Sequence, residues 1–135
     1  MLKDTLLYLS QNARVHDFVV QNPLARGASR RFVAGEDIED AVLAARGLNQ
    51  HGIQVALDYL GENVASEQEA RDATKAYVSD IGMIKSAGVS ANISVKLTAL
   101  GLDISQELCE ENLTTILKLA QALGVEPTVL MDAQR

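Results

Sequence analysis

The chain has 135 residues, a formal net charge of −6, aromatic residues at only 4% and no tryptophan. A chain of this length suits one domain. Its acidic balance disfavours polyanionic partners, and its few aromatic rings exclude a nucleic-acid surface built on base stacking, so we expect no nucleic-acid partner.

The first 35 residues predict a helical arm. Residues 2–31 have an irregular helical pattern that breaks at Asn22 and Pro23, where a new helix can start, and Gly35 ends the element. The first residues include Asp4 and too short an apolar run for a secretion signal. We therefore assign residues 1–35 to an N-terminal arm and residues 36–135 to a regular α/β region.

After residue 36 the apolar pattern alternates between helical and strand periods. It predicts helices over 38–51, 66–85 and 105–123, each followed by a glycine, and strands over 53–60, 93–97 and 128–131. Ser66 and Glu69 have the spacing of a capping box. The strands are apolar along their length, which is typical of parallel strands buried on both faces. The order therefore predicts a parallel βαβαβ series.

The single cysteine, Cys109, falls in the third predicted helix and cannot form an internal disulfide. We interpret Cys109 as a packing residue and expect a reducing compartment, the cytoplasm. No stretch approaches the ~18 apolar residues that a membrane-spanning helix needs.

Charged side chains occur near the carboxyl ends of the three predicted strands. Lys96 interrupts the apolar run NISVKLTALG, Asp58 and Glu62 end the first strand, and Asp132 follows the third. Because parallel strands place their carboxyl ends at one edge, this pattern predicts a site there. The alternative for Lys96 is structural: a neighbouring acid pairs with it inside the fold.

Three parallel strands with no closing element would leave their hydrogen-bonding edges exposed. We expect the chain to be the first part of something larger. We also expect an open, apolar inner face of the sheet, at which four side chains meet solvent or a partner: Val95, Leu97, Val129 and Met131.

Four segments together resemble the proline dehydrogenases, the flavin enzymes that oxidise L-proline. They are RRFVAGE at 30–36, LDYLGE at 57–62, SVKLTALGLD at 94–103 and MDAQ at 131–134. The resemblance implies a distorted (β/α)8 TIM-type barrel with leading helices. This chain would hold its N-terminal portion, with about three parallel strands and their first β/α units.

The resemblance also implies an activity, a cofactor and partners. The enzyme would oxidise L-proline to 1-pyrroline-5-carboxylate, passing a hydride to FAD and electrons to a quinone. No metal is expected, and the sequence contains no GxGxxG dinucleotide-binding motif. The expected location is cytoplasmic, and peripheral contact at the inner membrane is left open.

Site residues follow from the same resemblance. Lys96 would contact the substrate carboxylate, Asp132 would be the active-site acid, and the backbone at Ala133 would meet the flavin. Glu62 would act as a gate by pairing with an arginine from a later part of the barrel. Asp58 would line the mouth of the barrel as a rim residue, with helix capping or a salt bridge as equal alternatives.

The pattern departs from the family in two respects. The family's carboxylate-binding arginines and most of its FAD contacts lie outside this chain, and the third-strand segment ends DAQR where many members have a second acid. We therefore expect the chain alone to be inactive. The alternative function is a truncated α/β interaction module without catalysis, self-associating through exposed strand edges.

Overall fold

The computed structural model describes residues 37–59 and 64–131. The predicted N-terminal arm at 1–35 lies outside the described residues. Among those described, no helix combines the length and apolarity required to cross a membrane. The elements alternate in the predicted order: α1 (Ile38–Gln50), β1 (Val55–Asp58), α2 (Glu67–Ala87), β2 (Ala91–Lys96), α3 (Gln106–Leu123) and β3 (Pro127–Leu130).

Helix α1 ends in a Schellman motif, which also explains why β1 starts later than predicted. Gly52 adopts φ +75°, its N–H donates to the carbonyl of Asn49, and the N–H of Ile53 donates to the carbonyl of Leu48. Ile53 is therefore part of the helix cap. Strand β1 begins at Val55, where pairing with Ala91 becomes available.

The other two helices have the caps that their sequences favour. Ser66 accepts a hydrogen bond from the N–H of Glu69 at 3.2 Å, as the predicted capping box requires. The Glu69 carboxylate reaches back one residue further than in the standard box, to the N–H of Ala65 at 2.7 Å. Ser105 caps α3 in the same way as Ser66 caps α2. Both helices end at a left-handed glycine.

The three strands form one parallel sheet in the order β1-β2-β3. The predicted parallel βαβαβ series is confirmed. Asp58 lies opposite Ser94, and Lys96 lies opposite Leu130, so the carboxyl ends of all three strands point to the same edge. This edge carries the charges singled out in the sequence.

One face of the sheet packs against α2 and α3. Ile93 and Val95 on β2 are 1% and 0% exposed, and they join a core that includes Tyr77, Ile81 and Ile116. Burying such aliphatic and aromatic side chains contributes about 1.5–3 kcal/mol each to folding, as an upper estimate. The central strand β2 therefore anchors the residues around Lys96.

The prediction of an open, apolar inner face is wrong for Val95 and Leu97, whereas Val129 and Met131 are exposed as predicted. Val95 is fully buried under the helices, and Leu97 packs against the same core. Val129 and Met131 are exposed, at 41% and 73%, but Val129 pairs with Val95 and so belongs to the helix-side face. Side chains alternate along a strand, and helix packing selected the odd-numbered positions as the helix side.

The face of the sheet opposite α2 and α3 is mainly polar. The strand register places on it the even-numbered residues of all three strands. They are Ala56, Asp58, Asn92, Ser94, Lys96, Thr128 and Leu130. This face is therefore more polar than the one that packs against α2 and α3.

Candidate functional site

The candidate site is at the carboxyl edge of the sheet, where Asp58 ends β1 and Lys96 ends β2. The Lys96 Nζ and Asp58 Oδ2 atoms lie 3.6 Å apart. The lysine side chain is 16% exposed and the aspartate side chain 46%. The structure therefore brings together two of the residues that the sequence selected, as an ion pair whose cation is the more deeply placed partner.

This ion pair also agrees with the structural alternative for Lys96. An ammonium that is only 16% exposed gains from a nearby counter-charge, and the carboxylate of Asp58, which stays 46% exposed, supplies one. A counter-ion and a substrate contact are compatible roles, because an ammonium has three donors.

The backbone of Lys96 makes an unusual contact with helix α2. Its N–H donates to the hydroxyl oxygen of Tyr77 at 3.4 Å, across 19 residues of sequence. Tyr77 is 0% exposed, and its ring meets that of Tyr59 edge to face, with centroids 5.4 Å apart. The hydroxyl is therefore fixed in place beneath the ion pair.

The phenol of Tyr77 stays protonated around neutral pH. Burial is the main factor that raises its pKa, and the nearby Asp58 carboxylate raises it further. The hydrogen bond from the Lys96 backbone and the charge of Lys96 act in the opposite direction. A neutral phenol can accept the Lys96 N–H without adding charge to the site.

The segment after β2 folds into a succession of tight turns. The carbonyl of Leu97 accepts hydrogen bonds from the N–H groups of Leu100 and Leu102. Two buried side chains of α3 hold the same turns: the Cys109 thiol donates to the Leu97 carbonyl at 3.6 Å, and the Asn112 amide donates to the Leu100 carbonyl at 3.0 Å. The end of β2 is therefore tied firmly to α3.

Cys109 agrees with its interpretation as a packing residue. The thiol is buried, and burial together with the Glu110 carboxylate raises its pKa. A thiol with a raised pKa is a poor nucleophile at neutral pH, so Cys109 belongs to the support of the site.

Gly101, which ends the SVKLTALG segment, lies where both the backbone conformation and the packing require glycine. Its φ is +94°, a conformation that side chains other than glycine rarely adopt. A Cβ atom there would lie 2.9 Å from Cδ2 of Leu108 and 3.2 Å from Cβ of Ala70. The turn after Lys96 thus packs so closely on two helices that only glycine fits.

Thr98 adds a polar group close to Lys96 in the chain. Its hydroxyl oxygen is buried and has no hydrogen-bond partner among residues 37–59 and 64–131. An unsatisfied buried hydroxyl costs about 1–3 kcal/mol, so a polar partner at this edge of the sheet would be favourable. Such a partner could come from a bound carboxylate or from a polar atom of a cofactor.

The described residues provide some of the polar groups that a site for flavin and substrate needs, but they do not form a complete site. Lys96 and Thr98 supply a cation and a buried hydroxyl. Within 37–59 and 64–131, no glycine-rich strand-to-helix loop of the dinucleotide-binding type is present. Over the same ranges, no cluster of three or more histidine, cysteine, aspartate or glutamate side chains could hold a metal ion.

Three predicted site residues lie outside the described residues: Glu62, Asp132 and Ala133. Their positions relative to Lys96 stay predictions. Strand β3 leads toward the same edge, since its last residue, Leu130, is the register partner of Lys96.

A cleft of about 520 Å³ lies at the other end of the strands, lined by Gln54, Lys85, Asn92 and Glu126 among others. In β/α barrels the chemistry occurs at the carboxyl ends of the strands, and the amino ends serve stability. We therefore assign the candidate site to the edge with Asp58 and Lys96.

Sequence reasoning missed Tyr77, Thr98 and Asn112. Tyr77 follows the apolar face of α2, in step with Ala73 and Ile81, so its pattern indicates only core packing. Its hydroxyl acts through a contact distant in sequence. The signal for Asn112 was a single amide on the buried face of α3, where the apolar pattern otherwise continues.

Relatives of the chain are found by sequence, although no protein-family model matches it. The chain is 39% identical over 132 residues to proline dehydrogenase 1 of Bacillus subtilis (strain 168), a match that covers 98% of this chain and 43% of that protein. It is 32% identical over 130 residues to proline dehydrogenase 2 of the same organism, covering 96% and 43%. The chain thus spans less than half the length of these relatives.

A structural comparison supports the fold. The chain resembles proline utilization A (PutA) from Bdellovibrio bacteriovorus, solved after inactivation by N-propargylglycine, with a TM-score of 0.68 and 21% identity. The match covers 82% of this chain and 14% of that one. Three parallel strands and three helices therefore match part of a (β/α)8 barrel, and the predicted fold class is confirmed.

Proposed function

The chain is homologous to the proline dehydrogenases over nearly its whole length, and we propose that it forms the first part of a barrel that oxidises L-proline with FAD. The observation that carries the proposal is the position of Lys96. Its ammonium lies at the carboxyl edge of a parallel sheet, where barrel enzymes bind their substrates, and is only 16% exposed.

Lys96 binds the carboxylate of L-proline in this proposal. A cation with little access to water binds an anion more strongly than a solvated one does, and it also fixes the orientation of the proline ring. Asp58 holds the ammonium at the rim before the substrate arrives. The polar face of the sheet beneath the pair provides the floor of the site.

The remaining roles rest on the family resemblance. Asp132 is the catalytic acid that orients the substrate and neighbouring polar groups. The backbone of Ala133 contacts the flavin, and Glu62 closes the site with an arginine from a later part of the barrel. In the sequence, Glu62 follows β1, and Asp132 and Ala133 follow β3. The carboxyl ends of both strands lie at the edge of the sheet that carries Lys96.

The chemistry that bound FAD supplies is acceptance of a hydride from the ring carbon next to the proline nitrogen. Loss of that hydride and of the N–H proton leaves a C=N double bond, which is 1-pyrroline-5-carboxylate. The two electrons then pass to a quinone. Because quinones reside in membranes, the proposal places the protein in the cytoplasm with peripheral contact at the inner membrane.

We further propose that these 135 residues do not turn over proline by themselves. They correspond to 43% of the length of proline dehydrogenase 1, and the described residues contain no glycine-rich strand-to-helix loop of the dinucleotide-binding type. Purified chain should show no flavin absorbance and no dye-linked oxidation of proline. Full activity of the isolated chain would contradict this part of the proposal.

A chimera tests the function itself. The matched 132-residue segment of B. subtilis proline dehydrogenase 1 is replaced by this chain, and the product is assayed for FAD content and proline oxidation. Activity within about tenfold of the parent enzyme, or about 1.4 kcal/mol, supports the proposal. A folded chimera that binds FAD but does not oxidise proline would overturn it.

The alternative is an interaction module that self-associates without catalysis. Three exposed apolar residues follow one another at the end of the sheet: Val129, Leu130 and Met131. Strands β1 and β3 are both edge strands of the described sheet, and such edges promote pairing between chains. Size-exclusion chromatography separates the two candidates, because flavin-free oligomers together with an inactive chimera favour the module.

A further inference from the structure

We propose that Tyr77 is a positioning residue for Lys96, acting through the backbone of β2. The inference rests on the proposed function to the extent that Lys96 binds substrate. The contact itself is independent of that function. The hydroxyl of Tyr77 accepts the Lys96 N–H just beyond the last described pair of β1 and β2.

The direction of the Lys96 N–H follows from the hydrogen bonds around it. The N–H groups of Ile93 and Leu97 both donate to β3, to the carbonyls of Glu126 and Leu130. Along a strand these groups point alternately to the two neighbours, so the N–H of Lys96 points toward β1. Its hydrogen bond should therefore come from that side.

The described register between β1 and β2 ends at the pair of Asp58 and Ser94. Beyond that pair, the hydroxyl of Tyr77 accepts the Lys96 N–H at 3.4 Å. A side chain of α2 therefore satisfies this backbone group.

We infer that the hydrogen bond from the Lys96 N–H to Tyr77 helps to position the side chains of Lys96 and Asp58. The last described pair of the ladder between β1 and β2 is Asp58 with Ser94, two residues before Lys96. The ammonium and carboxylate face each other there, 3.6 Å apart. The acceptor is rigid, since the Tyr77 ring is fully buried and is packed edge to face by Tyr59.

The test compares Tyr77→Phe with Tyr59→Phe in the isotope-labelled 135-residue chain. Both changes remove one phenolic oxygen and keep the ring, but only the Tyr77 hydroxyl accepts the Lys96 N–H. We expect Tyr77→Phe to speed hydrogen exchange of the Lys96 amide by about fivefold. The nuclear Overhauser effect between the side chains of Lys96 and Asp58 should weaken as well.

Tyr59→Phe should leave both readouts at their wild-type values. A purely structural role of Tyr77 would change the signals of core residues such as Ile81 without a specific change at Lys96. Unchanged Lys96 signals in Tyr77→Phe, or equal changes in the two variants, would overturn the proposal.

A wild-type measurement covers the case in which Tyr77→Phe does not fold. The ring protons next to the Tyr77 hydroxyl should give a nuclear Overhauser effect to the Lys96 amide proton, and its absence would overturn the proposal. Neither readout uses proline or flavin. An inactive chimera with intact Lys96 readouts would therefore count against the proposed function alone.

Discussion

The ammonium of Lys96 and the carboxylate of Asp58 lie 3.6 Å apart at the carboxyl ends of neighbouring parallel strands. The backbone N–H of Lys96 donates a hydrogen bond to the hydroxyl of Tyr77. The turns that follow β2 are held to α3 by the hydrogen bond from the Asn112 amide to the Leu100 carbonyl. A cation with this degree of support suits the orientation of a small anion better than nonspecific attraction at a surface.

The Asp58–Lys96 pair should contribute little to stability. Asp58 is 46% exposed, and ion pairs open to solvent are worth about 0–1 kcal/mol. We expect Asp58→Asn to change the free energy of unfolding by no more than about 1 kcal/mol in urea denaturation. Asp72→Asn, which removes an exposed partner of Lys75, is the matched control. A loss of several kcal/mol specific to Asp58→Asn would contradict a role centred on the site.

Gly101→Ala should destabilise the chain by about 1–3 kcal/mol. The new Cβ would meet Leu108 at 2.9 Å, and the positive φ disfavours any side chain. Thermal and urea denaturation measure the loss directly.

Gly47→Ala gives a control of opposite sign. Gly47 lies inside α1, and a Cβ there would meet no atom within 4 Å. Alanine favours a helix over glycine by about 0.5–1 kcal/mol, so this variant should be more stable than wild type. Equal effects at the two glycines would contradict the packing described around the turn after β2.

Asp80 should make the stability depend on pH. Burial, with a smaller effect from the nearby Glu39 carboxylate, raises its pKa to about 6. The folded state therefore holds the proton more tightly than the unfolded state does. The stabilising effect of the neutral carboxyl is complete below pH 4 and is lost as the pH rises to about 6.

Asp80→Asn keeps a neutral side chain at every pH. We expect it to be more stable than wild type at pH 7, by about 1 kcal/mol once solvent screening is allowed for, and equal to wild type near pH 4. Urea denaturation between pH 4 and 8 checks the expectation. Asp72→Asn serves again as the exposed control, and a parallel pH dependence of the two variants would contradict the assignment.

Local signals in the sequence predicted much of the fold. Ser66 and the terminal glycines at 88 and 124 mark helix ends through hydrogen bonds that involve only nearby residues. The meeting of Asp58 and Lys96 could also be predicted, because parallel strands bring their carboxyl ends to one edge.

Contacts between distant elements could not be predicted in this way. Strand β2 alternates apolar and polar residues, so its sequence places Ile93 and Val95 on one face, but it does not show that α2 and α3 are the elements that cover this face. In the sequence, Tyr77 has the pattern of an ordinary core residue. Its hydrogen bond with the Lys96 N–H joins two elements that are distant in the chain, so no local signal indicates it.

Proline turnover by the chimera with Lys96→Met tests the central claim most directly. Losing a partly buried cation that binds the substrate carboxylate costs about 3 kcal/mol, so kcat/KM for L-proline should fall about 100-fold while the FAD content is retained. Lys75→Met, which removes an exposed lysine on α2, should leave turnover unchanged. A kcat/KM for the Lys96 variant within about twofold of the unsubstituted chimera, or less than about 0.5 kcal/mol, would contradict the account.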